Sequence, residues 1–141
     1  MPQTKPPPEL QSWLLSLPNE LDGEVGFQDV LAALAAGSNA SVDGAWGSAC
    51  ALTTAALAQH APESIVVICE GQKAADSLLA DLPTFSDAPH LRFPAWTTDP
   101  GERLVYDDTY ADRLRTLKQL ISSPTDQVVI TSIQSLSLIH I

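Results

Sequence analysis

The sequence predicts an α/β fold built on an open parallel sheet with helices on both faces. Three observations carry that expectation. Residues Ile65–Cys69 are five apolar residues in a row, a pattern suited to a strand covered on both faces. Short apolar runs alternate along the chain with segments of helical periodicity. The chain has 141 residues and is 45% hydrophobic, enough for a real core.

The elements follow in order. Residues 1–8 hold four prolines and read as an extended or disordered arm. Residues 9–37 read as a helical element. Leu10, Trp13, Leu14 and Leu17 share a helical face, and Pro18 is expected to stop that helix. Phe27, Val30, Leu31 and Leu34 form the face of a second helix over 26–36, with Gly37 as its stop. The α/β domain spans 38–136. A short strand over Ala40–Asp43 is followed by a helix over Ala49–His60, with Ser48 as its N-cap. After the strand Ile65–Cys69 comes a helix over Gln72–Leu82, with Ala75, Leu78, Leu79 and Leu82 on its face. Leu91–Phe93 is a third strand. Pro94–Tyr106 reads as an irregular loop. In the helix Tyr110–Ile121, Leu114, Leu117, Leu120 and Ile121 are expected to face inward, with Arg113, Arg115 and Lys118 outward or beside them. Val128–Thr131 is the fourth strand. The order implies right-handed crossovers. A further helix should begin at Ser132, yet residues 137–141 are an atypical tail, so the domain reads as incomplete at its C-terminus. A fifth short strand is the other reading of that tail.

The stretch Gly44-Ala-Trp-Gly-Ser-Ala-Cys-Ala51 has the look of a P-loop that has lost its chemistry. A P-loop reads G-x-x-x-x-G-K-[ST]. Aligned on Gly44, the second glycine is Ala49, the lysine is Cys50 and the hydroxyl residue is Ala51. The missing lysine would have carried charge to the terminal phosphates, and the missing Ser/Thr would have held magnesium. Gly44 and Gly47 keep the turn. Two readings of Trp46 stand open: a plug in the phosphate space, or an aromatic packed on the next loop. Cys50 reads as a small buried residue, because no base accompanies it. Weak anion binding at the helix N-terminus is the residual activity to look for.

Charge and cysteine usage exclude other classes. Seven basic and 17 acidic residues give a net charge of −10, which argues against this piece alone gripping a phosphate backbone. Two cysteines and three histidines show no metal-ligand spacing. There is no signal-peptide pattern and no apolar run long enough for a membrane span. The expected compartment is the cytoplasm, with no membrane partner.

Four features occur in one order: Gly44–Leu57, Ile65–Cys69, the loop Phe93-Pro-Ala-Trp-Thr-Thr-Asp-Pro100, and Asp112-Arg-Leu-Arg-Thr-Leu117. Over roughly residues 25–136 the chain resembles the N-terminal region of the bacterial transcription-repair coupling factor. That region is similar to the first domain of excinuclease B, with a degenerate ATP site. The resemblance implies a parent that is an ATP-dependent DNA translocase. The parent displaces stalled RNA polymerase, recruits nucleotide excision repair through excinuclease A, and contacts DNA. It also implies that ATP and magnesium belong to a distant motor, and that this region needs no cofactor and carries no catalytic residue. The module that binds excinuclease A would follow the strand at Val128–Thr131.

The loop Phe93–Tyr106 is the richest surface candidate. Trp96 lies between Pro94 and Pro100, and Asp99, Glu102 and Arg103 surround it with charge. Trp96, Asp99, Glu102, Arg103 and Arg115 are therefore candidate docking residues toward other domains of the same full-length chain. A loop closed on its own sheet and a nucleic-acid contact are the other readings. The acids of Asp107–Asp112 suit helix-dipole partners better than a general acid/base pair. A small P-loop-like nucleotide-binding protein and a generic α/β protein-interaction module remain as alternative functions.

Overall fold

The computed structural model describes residues 7–96, 107–123 and 125–136. Helices α1 (Pro8–Leu21), α2 (Val25–Ala35) and α3 (Ser48–His60) come first, then strand β1 (Ile65–Cys69) and helix α4 (Gln72–Asp81). A short 3₁₀ turn over Leu82–Thr84 leads to β2 (His90–Phe93), α5 (Asp107–Ser122), β3 (Val128–Ser132) and α6 (Ile133–Leu136). The chain divides into two compact units: residues 1–60 with 81–87, and residues 61–80 with 88–141.

The first unit is helical. Pro18 does not stop α1, as the sequence reading expected. The helix runs through it to Leu21, and the ring is fully buried. Burial of the ring offsets the hydrogen bond that proline removes from a helix interior. Pro8 belongs to α1 as its first residue, where a missing N–H costs nothing. Gly37 does close α2. Its φ is +74°, Gly37 N–H donates to Leu34 O, and Ser38 N–H donates to Ala33 O. These are the two bonds of a left-handed C-terminal cap. Helix α3 packs against α1 and the 3₁₀ turn, and Ala51, Thr54, Ala55 and Ala56 are its buried residues. His60 Nε2 lies 2.7 Å from Asp22 Oδ1, and the His60 ring meets Phe27 edge-on.

The expected strand over Ala40–Asp43 is not formed; residues 38–43 have no regular structure. Val42 is the only β-branched apolar residue there and it is exposed, so the segment has almost nothing to bury in a sheet.

The second unit is an open, wholly parallel sheet in the order β1-β3-β2. One rung runs Val66–Val129–Leu91 and another runs Ile68–Thr131–Phe93. Ile65 N–H donates to Gln127 O at 2.9 Å, and Val128 N–H donates to Pro89 O at 2.9 Å. Successive residues of β3 thus bond β1 and β2 in turn. The crossover from β1 to β2 carries α4, and the return from β2 to β3 carries α5. Right-handed crossovers in opposite directions put these helices on opposite faces. Two contacts agree. Arg92 pairs with Asp76 of α4 at 3.1 Å, while the guanidinium of Arg113 on α5 lies 4.0 Å over the Phe93 ring. Arg92 and Phe93 are consecutive strand residues and so point to opposite faces.

Two expectations within this unit are corrected. Central strand β3 is buried at every residue, but β1 is covered on one face only, with Val66 and Ile68 exposed. Helix α5 is also rolled about its axis from the expected orientation. Arg113 and Thr116 are buried and Leu120 is half-buried, whereas Leu114, Leu117 and Ile121 are exposed. The reason is polar. Thr116 Oγ1 donates to Arg92 O at 2.6 Å, and Arg113 donates to two backbone carbonyls, so backbone acceptors select the inward face.

Candidate functional site

The loop before α3 keeps its turn. Gly44 has φ +80° and Gly47 φ +55°, conformations open to glycine at little cost. What a phosphate needs next is a row of free N–H groups turned inward. Here three of the loop's donors are taken. Gly44 N–H donates to the Asp43 carboxylate at 2.9 Å, Ala49 N–H to Trp46 O at 3.1 Å and Cys50 N–H to Gly47 O at 3.0 Å. The Asp43 carboxylate also places negative charge where an anion would approach. Cys50 and Ala51 stand where a P-loop has its lysine and its hydroxyl residue, and neither side chain carries a positive charge.

Several residues of this loop differ from their sequence expectation. Ser48 is the first helical residue, and its hydroxyl donates to Asp81 Oδ2 at 2.9 Å. Cys50 is exposed, with its thiol donating to Ala45 O at 3.3 Å. The first turn of α3 projects it outward, while Ala51, one residue on, is fully buried. Trp46 is 82% exposed and therefore plugs nothing.

The second candidate lies beyond the C-terminal ends of β2 and β3. Open α/β sheets bind ligands at such ends. Arg113 occupies this position. Its guanidinium donates to Pro94 O at 2.6 Å and Ser135 O at 3.2 Å, and stands 4.6 Å from the Trp96 ring as well as over Phe93. Burial lowers its pKa from the ordinary arginine value. The Trp96 ring stacks on Tyr110 with centroids 6.4 Å apart. Below it, Thr131 Oγ1 donates to Phe93 O, and the hydroxyls of Ser132 and Ser135 share a buried hydrogen bond of 2.9 Å. Aromatic rings and carbonyls use the cation's donors and faces, so this cluster ties loop 94–96, α5 and α6 to the strand ends. Its chemistry is that of a clamp, not of an acid, base or nucleophile.

Of the docking candidates, Trp96 is half-buried in this clamp, and Arg115 is exposed and paired with Asp112. Asp99, Glu102 and Arg103 lie outside the described residues. Sequence reasoning missed Arg113 as the organising residue, because leucines at helical spacing outweighed it. The signal was present in the polar period Thr109, Arg113, Thr116, continued by Leu120. Among the described residues no group of His, Cys, Asp and Glu is placed to hold a metal, and no helix is long and apolar enough to cross a membrane. No protein-family model matches the chain, and a search of curated proteins finds no match.

Proposed function

We propose that this chain is a non-catalytic scaffold region of a transcription-repair coupling factor, an ATP-dependent DNA translocase that displaces stalled RNA polymerase and recruits nucleotide excision repair. The observation that carries the non-catalytic reading is the loop before α3. Cys50 and Ala51 supply neither cation nor magnesium ligand, and three of the loop's N–H groups, those of Gly44, Ala49 and Cys50, already bond the Asp43 carboxylate, Trp46 O and Gly47 O. The order of the four motifs between Gly44 and Leu117 supports the assignment to that parent. In this reading the partners are other domains of the same chain in the cytoplasm. RNA polymerase, excinuclease A and DNA are contacts of the parent, and ATP and magnesium belong to its motor.

Two measurements test the proposal. The reading frame that encodes this chain should continue beyond Ile141 into translocase motifs; a frame without them rejects the parent. The purified chain, mixed with ATP and magnesium, should release no more phosphate than a heat-treated control. Steady turnover would instead favour a small nucleotide-binding enzyme. In a full-length parent, Trp96→Ala should raise basal ATP use if the loop restrains the motor. Unchanged basal ATPase and protease sensitivity would remove the docking role.

A further inference from the structure

The sheet has two edges among the described residues, β2 on one side and β1 on the other. The register fixes which backbone groups point outward at each. Val128 N–H donates to Pro89 O and Ile65 N–H donates to Gln127 O. In parallel pairing, alternate residues then bond β3: Leu91 and Phe93 from β2, and Ile65, Val67 and Cys69 from β1. The N–H and C=O groups of His90 and Arg92 point away from β3 on one side, and those of Val66 and Ile68 on the other.

Edge β2 is guarded. Thr116 Oγ1 donates to Arg92 O, the Arg92 side chain places a charge beside the edge, and Pro94 follows the strand. Covering elements, charges, prolines and bulges are the usual means of keeping a strand edge from pairing. Edge β1 has none of them. Ile65–Cys69 contains no charge and no proline, and it runs in unbroken register with β3. Among the described residues nothing bonds the outward groups of Val66 and Ile68, whose side chains are 58% and 54% exposed.

An open edge accepts a further strand, and β1 matches itself. Two copies laid antiparallel, with Val67 opposite Val67, set Val66 of each against Ile68 of the other. Both residues point their N–H and C=O groups outward, so each such pair exchanges two hydrogen bonds. Val67 with Val67 is the non-hydrogen-bonded pair between them. The exposed Val66 and Ile68 side chains of both copies then join on one face into a β-branched cluster across the seam. Charge permits this register. Glu70 comes opposite Ser64 and Glu63 opposite Gly71, whereas parallel pairing in register would set each glutamate against its own copy.

The net charge of −10 on each chain opposes association at long range, so salt should strengthen it. The seam is only about 16 Å long, which makes the dimer weak and concentration-dependent. We infer that the outer edge of β1 is a self-association edge, at which two copies of this chain pair β1 with β1, antiparallel about Val67, into one sheet continuous across both. This inference does not rest on the coupling-factor reading.

The test is sedimentation of the full chain from about 5 to 500 μM, a span suited to a weak interface. The dimer fraction should rise with concentration, and the dissociation constant should fall at least about threefold between roughly 0.02 and 0.3 M salt. Val66→Lys combined with Ile68→Lys should leave a monomer with its melting curve in place. That variant is less acidic than the parent, so bulk repulsion cannot account for the loss. Val66→Glu combined with Ile68→Glu should also be monomeric, and mixing the two variants should restore a dimer. Opposed Cα atoms of a non-hydrogen-bonded pair lie about 4.5 Å apart, within disulfide reach. Under mild oxidation Val67→Cys should therefore cross-link through residue 67 at least about tenfold faster than Ile68→Cys does through residue 68, although position 68 is the more exposed. A monomer at every concentration, a dimer that survives the paired lysines, or cross-linking no faster at 67 than at 68 would overturn the inference. A dimer that forms only after residues 137–141 are removed would also overturn it, by giving the edge to the chain's own tail.

Discussion

Strands β1 and β3 are near twins in sequence and opposites in environment. Ile65-Val-Val-Ile-Cys69 and Val128-Val-Ile-Thr-Ser132 are both five residues long, rich in β-branched side chains, and hydrogen-bonded to each other in parallel register. Every residue of β3 is buried, while β1 alternates between half-buried and exposed. The more polar strand is the better covered. Position in the sheet decides this: β3 is flanked by strands on both sides, and β1 is the edge among the described residues. An apolar run therefore records what a strand is suited to bury. Whether it is buried depends on what is laid over it.

The largest effect should come from the central strand. Ile130 is fully buried, so Ile130→Ala should cost about 3–4 kcal/mol in chemical denaturation, the transfer and cavity loss of a large core residue. Ile68→Ala, removing the same atoms from the exposed face of the edge strand, should cost less than about 1 kcal/mol. Equal losses would mean that β1 is covered in solution and would dissolve the contrast. Next is the clamp above the sheet. Arg113→Met keeps the length of the side chain but leaves Pro94 O and Ser135 O without their donor, at about 2 kcal/mol. Arg113→Lys should recover only part of that, because an ammonium lacks the flat fork that reaches both carbonyls and stacks on Phe93. Full recovery by lysine would show that charge alone, and not the fork, holds loop 94–96 to α6.

Much of the α/β pattern was legible because it depends on local period. The strands at 65–69, 91–93 and 128–131 and the helices between them follow from apolar runs and Gly/Pro punctuation, and their parallel pairing follows from the connecting lengths. Failures came where tertiary partners overrode local pattern. Pro18 is tolerated inside α1 because its ring is buried. Helix α5 turns Arg113 and Thr116 inward because carbonyls at the strand ends accept from them, which no leucine does. The loop at Gly44–Ala51 was legible in what it lacks. That three of its N–H groups are already bonded was not, apart from the hint that an Asp before a glycine can bond nearby backbone. An edge strand and a central strand spelled alike differ only through their neighbours.

The smallest effect sharpens the comparison most, because it uses one substitution on two residues of a single rung. Val66 and Val129 are register partners and share a face. Val129 is 4% exposed and Val66 58%. Threonine matches valine in shape and β-branching, so strand propensity is nearly unchanged and the hydroxyl is the only perturbation. At Val129 the hydroxyl is taken out of water, and Val129→Thr should cost about 1–2 kcal/mol. At Val66 it stays hydrated, and Val66→Thr should cost no more than a few tenths. The difference between the two measures the cover over each end of one rung. Equal costs at the two sites would mean that Val66 is as well covered in solution as Val129, and the contrast between edge and centre would fall.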